Sequence, residues 1–66
     1  MKVTATYIVL IRGNRHTMYA VDYKTDSDIA CTSYFIPRLH NNGDLLGGFK
    51  QASEAEAKAL IAQTLR

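Results

Sequence analysis

Apolar and β-branched residues dominate the first part of the chain and run without a charged residue from Val3 to Ile11. Residues 3–12, VTATYIVLIR, have the composition that packs well on a pleated surface, and they predict a first strand. Residues 15–24, RHTMYAVDYK, predict a second, with Gly13-Asn14 between them. A two-residue Gly-Asn connection predicts a tight hairpin, because glycine takes a positive φ at no steric cost. Thr25 to Asp28 is polar and reads as a loop. Ala30 to Leu39, ACTSYFIPRL, predicts a third strand. Pro37 lacks an N–H donor, which places it near a strand end or on an edge. A turn centred on Asn42-Gly43 follows. Residues 45–49 are expected to be a loop or a very short fourth strand, since Gly47-Gly48 weakens strand pairing.

The pattern changes at Ser53. Ser53 with Glu56 three residues on is a capping box, and Ala52 and Ala57 take the staple positions around it. Glu54 and Lys58 form an i,i+4 pair in the favoured order. Strong helix formers fill residues 54–65, and Ala57, Leu60, Ile61, Thr64 and Leu65 make one stripe that should face the sheet. The expected fold class is α+β: a three-stranded antiparallel sheet (β-β-β-α) with one C-terminal helix packed on one face. Residues 1–66 are expected to form a single domain.

A two-residue turn fixes hairpin register. With Gly13-Asn14 as the turn, Arg12 pairs with Arg15, Leu10 with Thr17, Ile8 with Tyr19, Thr6 with Val21 and Thr4 with Tyr23. The other face then carries Val3, Ala5, Tyr7, Val9 and Ile11 beside His16, Met18, Ala20 and Asp22. Both faces are partly apolar, and one helix covers only one. The Val9/Ile11/Met18/Ala20 face suits the helix, because its alanines allow close approach and its aliphatic residues match the helical stripe. Register alone does not choose the face, so the reverse assignment stays open, as does a 40–50 loop folded over the other side. The uncovered face would keep Ile8, Leu10, Tyr19, Val21 and Tyr23, the kind of patch that marks an interaction site.

Length changes the picture. A chain of 66 residues buries only roughly 60% of its unfolded surface, so help from a partner is expected. Cys31 is the single cysteine, which excludes an internal disulfide and a multi-cysteine zinc site. It is expected to be a small core hydrophobe. The formal charge is +2, which permits a nucleic-acid partner and argues against an acidic DNA mimic. Tyr7 to Ile11 is far too short to span a bilayer, and Met1-Lys2-Val3 opens directly on strand-like residues without a signal peptide. The expected location is cytoplasmic, with no membrane partner.

Charge also has a direction. In a meander, Arg12, Arg15 and His16 lie at the same end of the sheet as Arg38 and His40, while Asp26 and Asp28 lie at the other. A basic pole beside Tyr19 can hold phosphates or meet an acidic or RNA-coated protein surface. Arginines at hairpin ends also serve simply to solvate and protect strand edges. The candidate binding residues are Arg12, Arg15, His16, Tyr19, Tyr23 and Arg38. No catalytic residue, metal site or cofactor is expected. Cys31 and the histidines are separated by about 25 Å of strand. The carboxylates are scattered, and the Gly43–Gly48 segment lacks the Lys-Ser/Thr ending of a phosphate loop.

Leu46-Gly47-Gly48-Phe49-Lys50-Gln51-Ala52-Ser53-Glu54-Ala55-Glu56-Ala57 resembles the strand-to-helix junction of three-stranded-sheet DNA-binding domains. These are the plant ethylene-response-factor type and the arm-binding domains of phage tyrosine recombinases. The resemblance implies a DNA- or RNA-binding module, although Tyr19, Val21 and Tyr23 stand where such domains carry arginines. In size and in its bare, partly aromatic sheet face, the chain is similar to small phage accessory proteins of the anti-CRISPR inhibitor type. That likeness implies a non-enzymatic protein that inhibits a host defence complex by contact with a protein or ribonucleoprotein. A structural homodimer joining its bare faces is the third reading.

Overall fold

The β-branched runs form strands as their composition predicts, and the glycine-containing segment after them adds one more. The computed structural model describes residues 2–64. Its elements are β1 (Lys2–Ile11), β2 (Asn14–Lys24), β3 (Ala30–Leu39), β4 (Leu45–Ala52) and α1 (Glu54–Thr64). The strands form one antiparallel sheet in the order β1-β2-β3-β4. The sheet therefore has four strands, not the three expected. Pairing passes from Leu39↔Leu45 to Pro37↔Phe49, so Arg38 alone faces Leu46, Gly47 and Gly48. Both glycines hold positive φ, 98° and 71°. They bulge the strand without ending it, because residues 49–52 regain the ladder.

The first turn is also displaced. Its central residues are Arg12 and Gly13, with φ of 50° and 82°, the left-handed pair of a type I′ hairpin. Ile11 closes on Asn14 and Leu10 pairs with Arg15. Moving the turn by one residue moves the register by two, so the side chains keep the faces expected of them. Val3 is the exception. A bulge between Val3 and Ala5 puts Val3 opposite Val21, on the face away from the helix.

α1 packs across β1 and β3 on the Val9/Ile11/Met18/Ala20 face. Val9, Met18 and Ala57 are fully buried there, with Ile36 and Ile11 beside them. Tyr7, Tyr34, Ala52, Leu60 and Ile61 pack around this core. Ala57, Leu60 and Ile61 of the helical stripe thus pack as expected; Thr64 is half-buried, its hydroxyl donating to the Leu60 carbonyl, and Leu65 lies outside the described residues. The Ser53 hydroxyl accepts the Glu56 N–H at 3.1 Å, as a cap should. Glu56 turns its carboxylate to Lys50, 3.3 Å away. The Glu54–Lys58 pair forms at 2.7 Å.

The molecule is long and flat, 40 × 23 × 17 Å. Its radius of gyration is 12.8 Å, against about 11 Å for a compact domain of this length. Its accessible surface is 4867 Å², against roughly 4200 Å² expected from its mass. Both departures follow from covering only one side of the sheet.

Two outcomes test this packing. Met18→Ala empties a fully enclosed site and should cost about 2–5 kcal/mol, a large share of the roughly 3–10 kcal/mol available to a chain of this size. Urea titration followed by circular dichroism reads the loss. The hydrogen bond from Lys58, with its positive charge, holds the Glu54 carboxyl below the ordinary glutamate value and raises the Lys58 ammonium. The lowered Glu54 value means that its stabilisation is present above the unfolded titration and is lost as pH falls through the folded one. NMR titration should place the Glu54 midpoint low, and Lys58→Gln should return it towards the ordinary value.

Candidate functional site: the uncovered face and the cleft at its basic end

Residues directly opposite one another in an antiparallel ladder share a face. The ladder therefore lines up Ile8 and Leu10 of β1, Arg15, Thr17, Tyr19, Val21 and Tyr23 of β2, Cys31, Ser33, Phe35 and Pro37 of β3, and Phe49 and Gln51 of β4. None of these faces α1. Ile8 and Leu10 are 49% exposed and Phe49 is 47% exposed. Tyr19 meets Phe49 edge-on, with ring centroids 5.4 Å apart. Ser33 is buried on the same face, where its hydroxyl accepts a bond from the Gln51 amide at 3.1 Å. Cys31 pairs with Tyr23 on this face and is only half-buried, so it is not the core residue expected.

Pro37 opens the sheet at one end. The tight turn makes Ile11↔Asn14 a pair that exchanges both backbone bonds, and alternation then turns the backbones of Arg15, Thr17 and Tyr19 towards β3. Tyr19↔Phe35 is the last pair between β2 and β3. The next would be Thr17↔Pro37, and Pro37 has no N–H to give. Pro37 is therefore near a strand end, as expected from its chemistry, third from the last residue of β3, but it lies buried in an inner strand and not on a sheet edge, at the point where the ladder fails. Beyond it the two hairpins part, leaving a cleft bounded by Arg15, His16, Thr17 and Tyr19 on one side and Pro37, Leu45, Gly48 and Phe49 on the other.

The mouth of the cleft is held by Arg12. Its Nε lies 2.7 Å from Asp44, and its Nη2 donates to the Asn42 carbonyl. Asp44 is itself fixed in the β3–β4 turn: its N–H reaches the Asn42 side-chain oxygen at 3.1 Å, and its carbonyl accepts the His40 N–H at 2.7 Å. The basic pole thus contains a carboxylate at its centre, and Arg12 is committed to it. At the opposite end, Lys24 lies 3.4 Å from Asp28. Each pole is partly neutralised from within.

The structure divides the six candidate residues. Arg15, Tyr19 and Tyr23 share the uncovered face, although about 26 Å of strand separates the first from the last. Arg12 occupies the turn. His16 pairs with Val9 on the helix side, where its Nε2 is buried without a hydrogen-bond partner. Arg38 faces the β4 bulge, with its Cδ against Gly48. Arg15 and Arg38 enter no ion pair among the described residues. Phe35, Phe49 and Asp44 belong to the site and escaped the sequence reading. Phe35 alternates with Pro37 and so was legible, whereas Phe49 joins the face only once residues 45–52 are known to be a strand.

Among the described residues, no group of three or more His, Cys, Asp or Glu side chains is placed to hold a metal ion. No helix among them is long and apolar enough to cross a membrane. Comparison with protein-family models, with curated proteins and with solved structures finds no match to this chain.

The Arg12 geometry sets two small effects against each other. A non-glycine residue in the left-handed region costs roughly 1–2 kcal/mol. An exposed ion pair returns about 0.2–1 kcal/mol. Arg12→Asn supplies the Asn-Gly pair preferred by this turn, and should leave stability unchanged or raise it by up to about 1 kcal/mol. A lower urea midpoint at unchanged slope would show that the Asp44 latch outweighs the strain.

Proposed function

We propose that this chain is a non-enzymatic binding protein that blocks a larger complex by protein–protein contact, in the manner of small phage inhibitors of host defence complexes. The observation that carries the reading is the uncovered sheet face, with half-exposed Ile8, Leu10 and Phe49 around a Tyr19–Phe49 pair and Arg15 at its margin. A contiguous apolar face rimmed by polar residues is characteristic of an interaction surface. Tyrosine and arginine are the residue types that most often dominate such contacts. Arg15 brings a guanidinium that no carboxylate of the sheet occupies, suited to an acidic group on the partner.

A nucleic-acid partner is the second reading. It is favoured by Arg15 and Arg38, which enter no ion pair among the described residues, at the end where Tyr19 and Phe49 present aromatic rings, since stacking and phosphate contacts combine in single-strand binding. The two readings separate by measurement. Arg15→Ala with Tyr19→Ala should weaken capture of a protein complex from the host by at least about tenfold, as expected for loss of central aromatic and arginine contacts. The double variant should unfold at nearly the wild-type urea concentration, because neither residue is in the core. Undiminished capture would remove the protein-contact reading. Absence of a mobility shift with single-stranded or duplex DNA or RNA at low salt would remove the second.

A further inference from the structure

We propose that β1 pairs antiparallel with β1 of a second copy of this chain, joining the two sheets edge to edge across a two-fold axis at Ile8. β1 is an outer strand. Ile11↔Asn14 exchanges both backbone bonds, so Val9 and Tyr7 also bond towards β2. Thr6, Ile8 and Leu10 then direct their N–H and C=O groups away from the sheet, and no strand among the described residues lies there. A two-fold axis at Ile8 matches Thr6 with Leu10 of the partner subunit, Ile8 with its own counterpart, and Leu10 with Thr6 of the partner subunit. Every one of these matches is a pair that can exchange both bonds.

The strand is suited to meeting itself. It carries no charge from Val3 to Ile11, so the two-fold brings no like charges together. Its bulge lies at Val3/Ala5 and leaves the rest of the strand regular. The other edge is different. β4 is bulged at Leu46–Gly48, carries Lys50, and runs directly into α1. Bulges and lysines are the usual means of keeping an edge from pairing, and β1 has neither in its open stretch. The proposal does not rest on the binding function, because the edge of β1 and the face of the sheet are different surfaces.

Sedimentation equilibrium of the full chain from micromolar to millimolar concentration should show the mass doubling. Amide hydrogen exchange should show Thr6, Ile8 and Leu10 becoming protected over the same range. Thr6→Pro removes one outward donor but no bond to β2, so circular dichroism should be retained while the dimer weakens at least tenfold. Phe49→Ser, on the far side of the sheet, should leave the dimer intact. A monomer at every concentration overturns the proposal. So does rapid exchange of the three amides in a dimer, or a dimer dissolved by Phe49→Ser and indifferent to Thr6→Pro, which would place the contact on the sheet face. Protection of these amides only on adding another protein also overturns it, in favour of strand addition by a foreign segment. Should Thr6→Pro fail to fold, the exchange pattern of the unmodified chain decides.

Discussion

A single helix of 11 residues has four strands to cover. That disproportion governs the rest of the molecule. Side chains alternate across a sheet, so every strand offers apolar groups to both sides, and the helix can shelter only one. Ala57 lets it approach closely, and Val9, Met18 and Ile36 fill the space beneath it. The small core accounts for the elongated shape, and the unsheltered side accounts for the surface available to a partner. Neither can be changed without changing the other.

Much of this was legible from the residues. β-Branched composition located β1, β2 and β3, and the capping residues located α1. The choice of face followed from matching aliphatic side chains and alanines to the helical stripe. The hairpin turn was misplaced by one residue because Asn14 and Gly13 are both good turn formers. The energetically awkward alternative, Arg12 at positive φ, has part of its cost offset by contacts made far along the chain, at Asn42 and Asp44. No local rule weighs such contacts. β4 was hidden for a related reason. Two adjacent glycines argue against a strand locally, yet a bulge absorbs them when β3 offers a ladder to pair with.

The candidate site was readable in its parts and not in its assembly. Period-two alternation placed Arg15, Tyr19 and Tyr23 together, and sent His16 to the opposite side. Charge counting along the chain suggested strongly opposed poles. In the fold, Arg12–Asp44 and Lys24–Asp28 offset charge locally, and the polarity that remains falls mainly to Arg15 and Arg38 at one end and Asp26 at the other. Sequence distance concealed the first of these pairs, since Arg12 and Asp44 belong to different hairpins.

One missing hydrogen atom, on the nitrogen of Pro37, gives the protein two mechanical regimes. Below Tyr19↔Phe35 the strands are a continuous sheet, and separating them means breaking ladder bonds. Above it, β1–β2 and β3–β4 are separate fingers whose tips are joined through Arg12 and Asp44 at the solvent-exposed rim. Spreading the fingers breaks no β2–β3 ladder bond; it costs that surface contact and the packing of Val9 and Ile11 with Ile36 beneath α1. Compliance is thus concentrated at the basic end, so the part of the molecule that can best adjust its shape to an incoming surface is the part that carries Arg15.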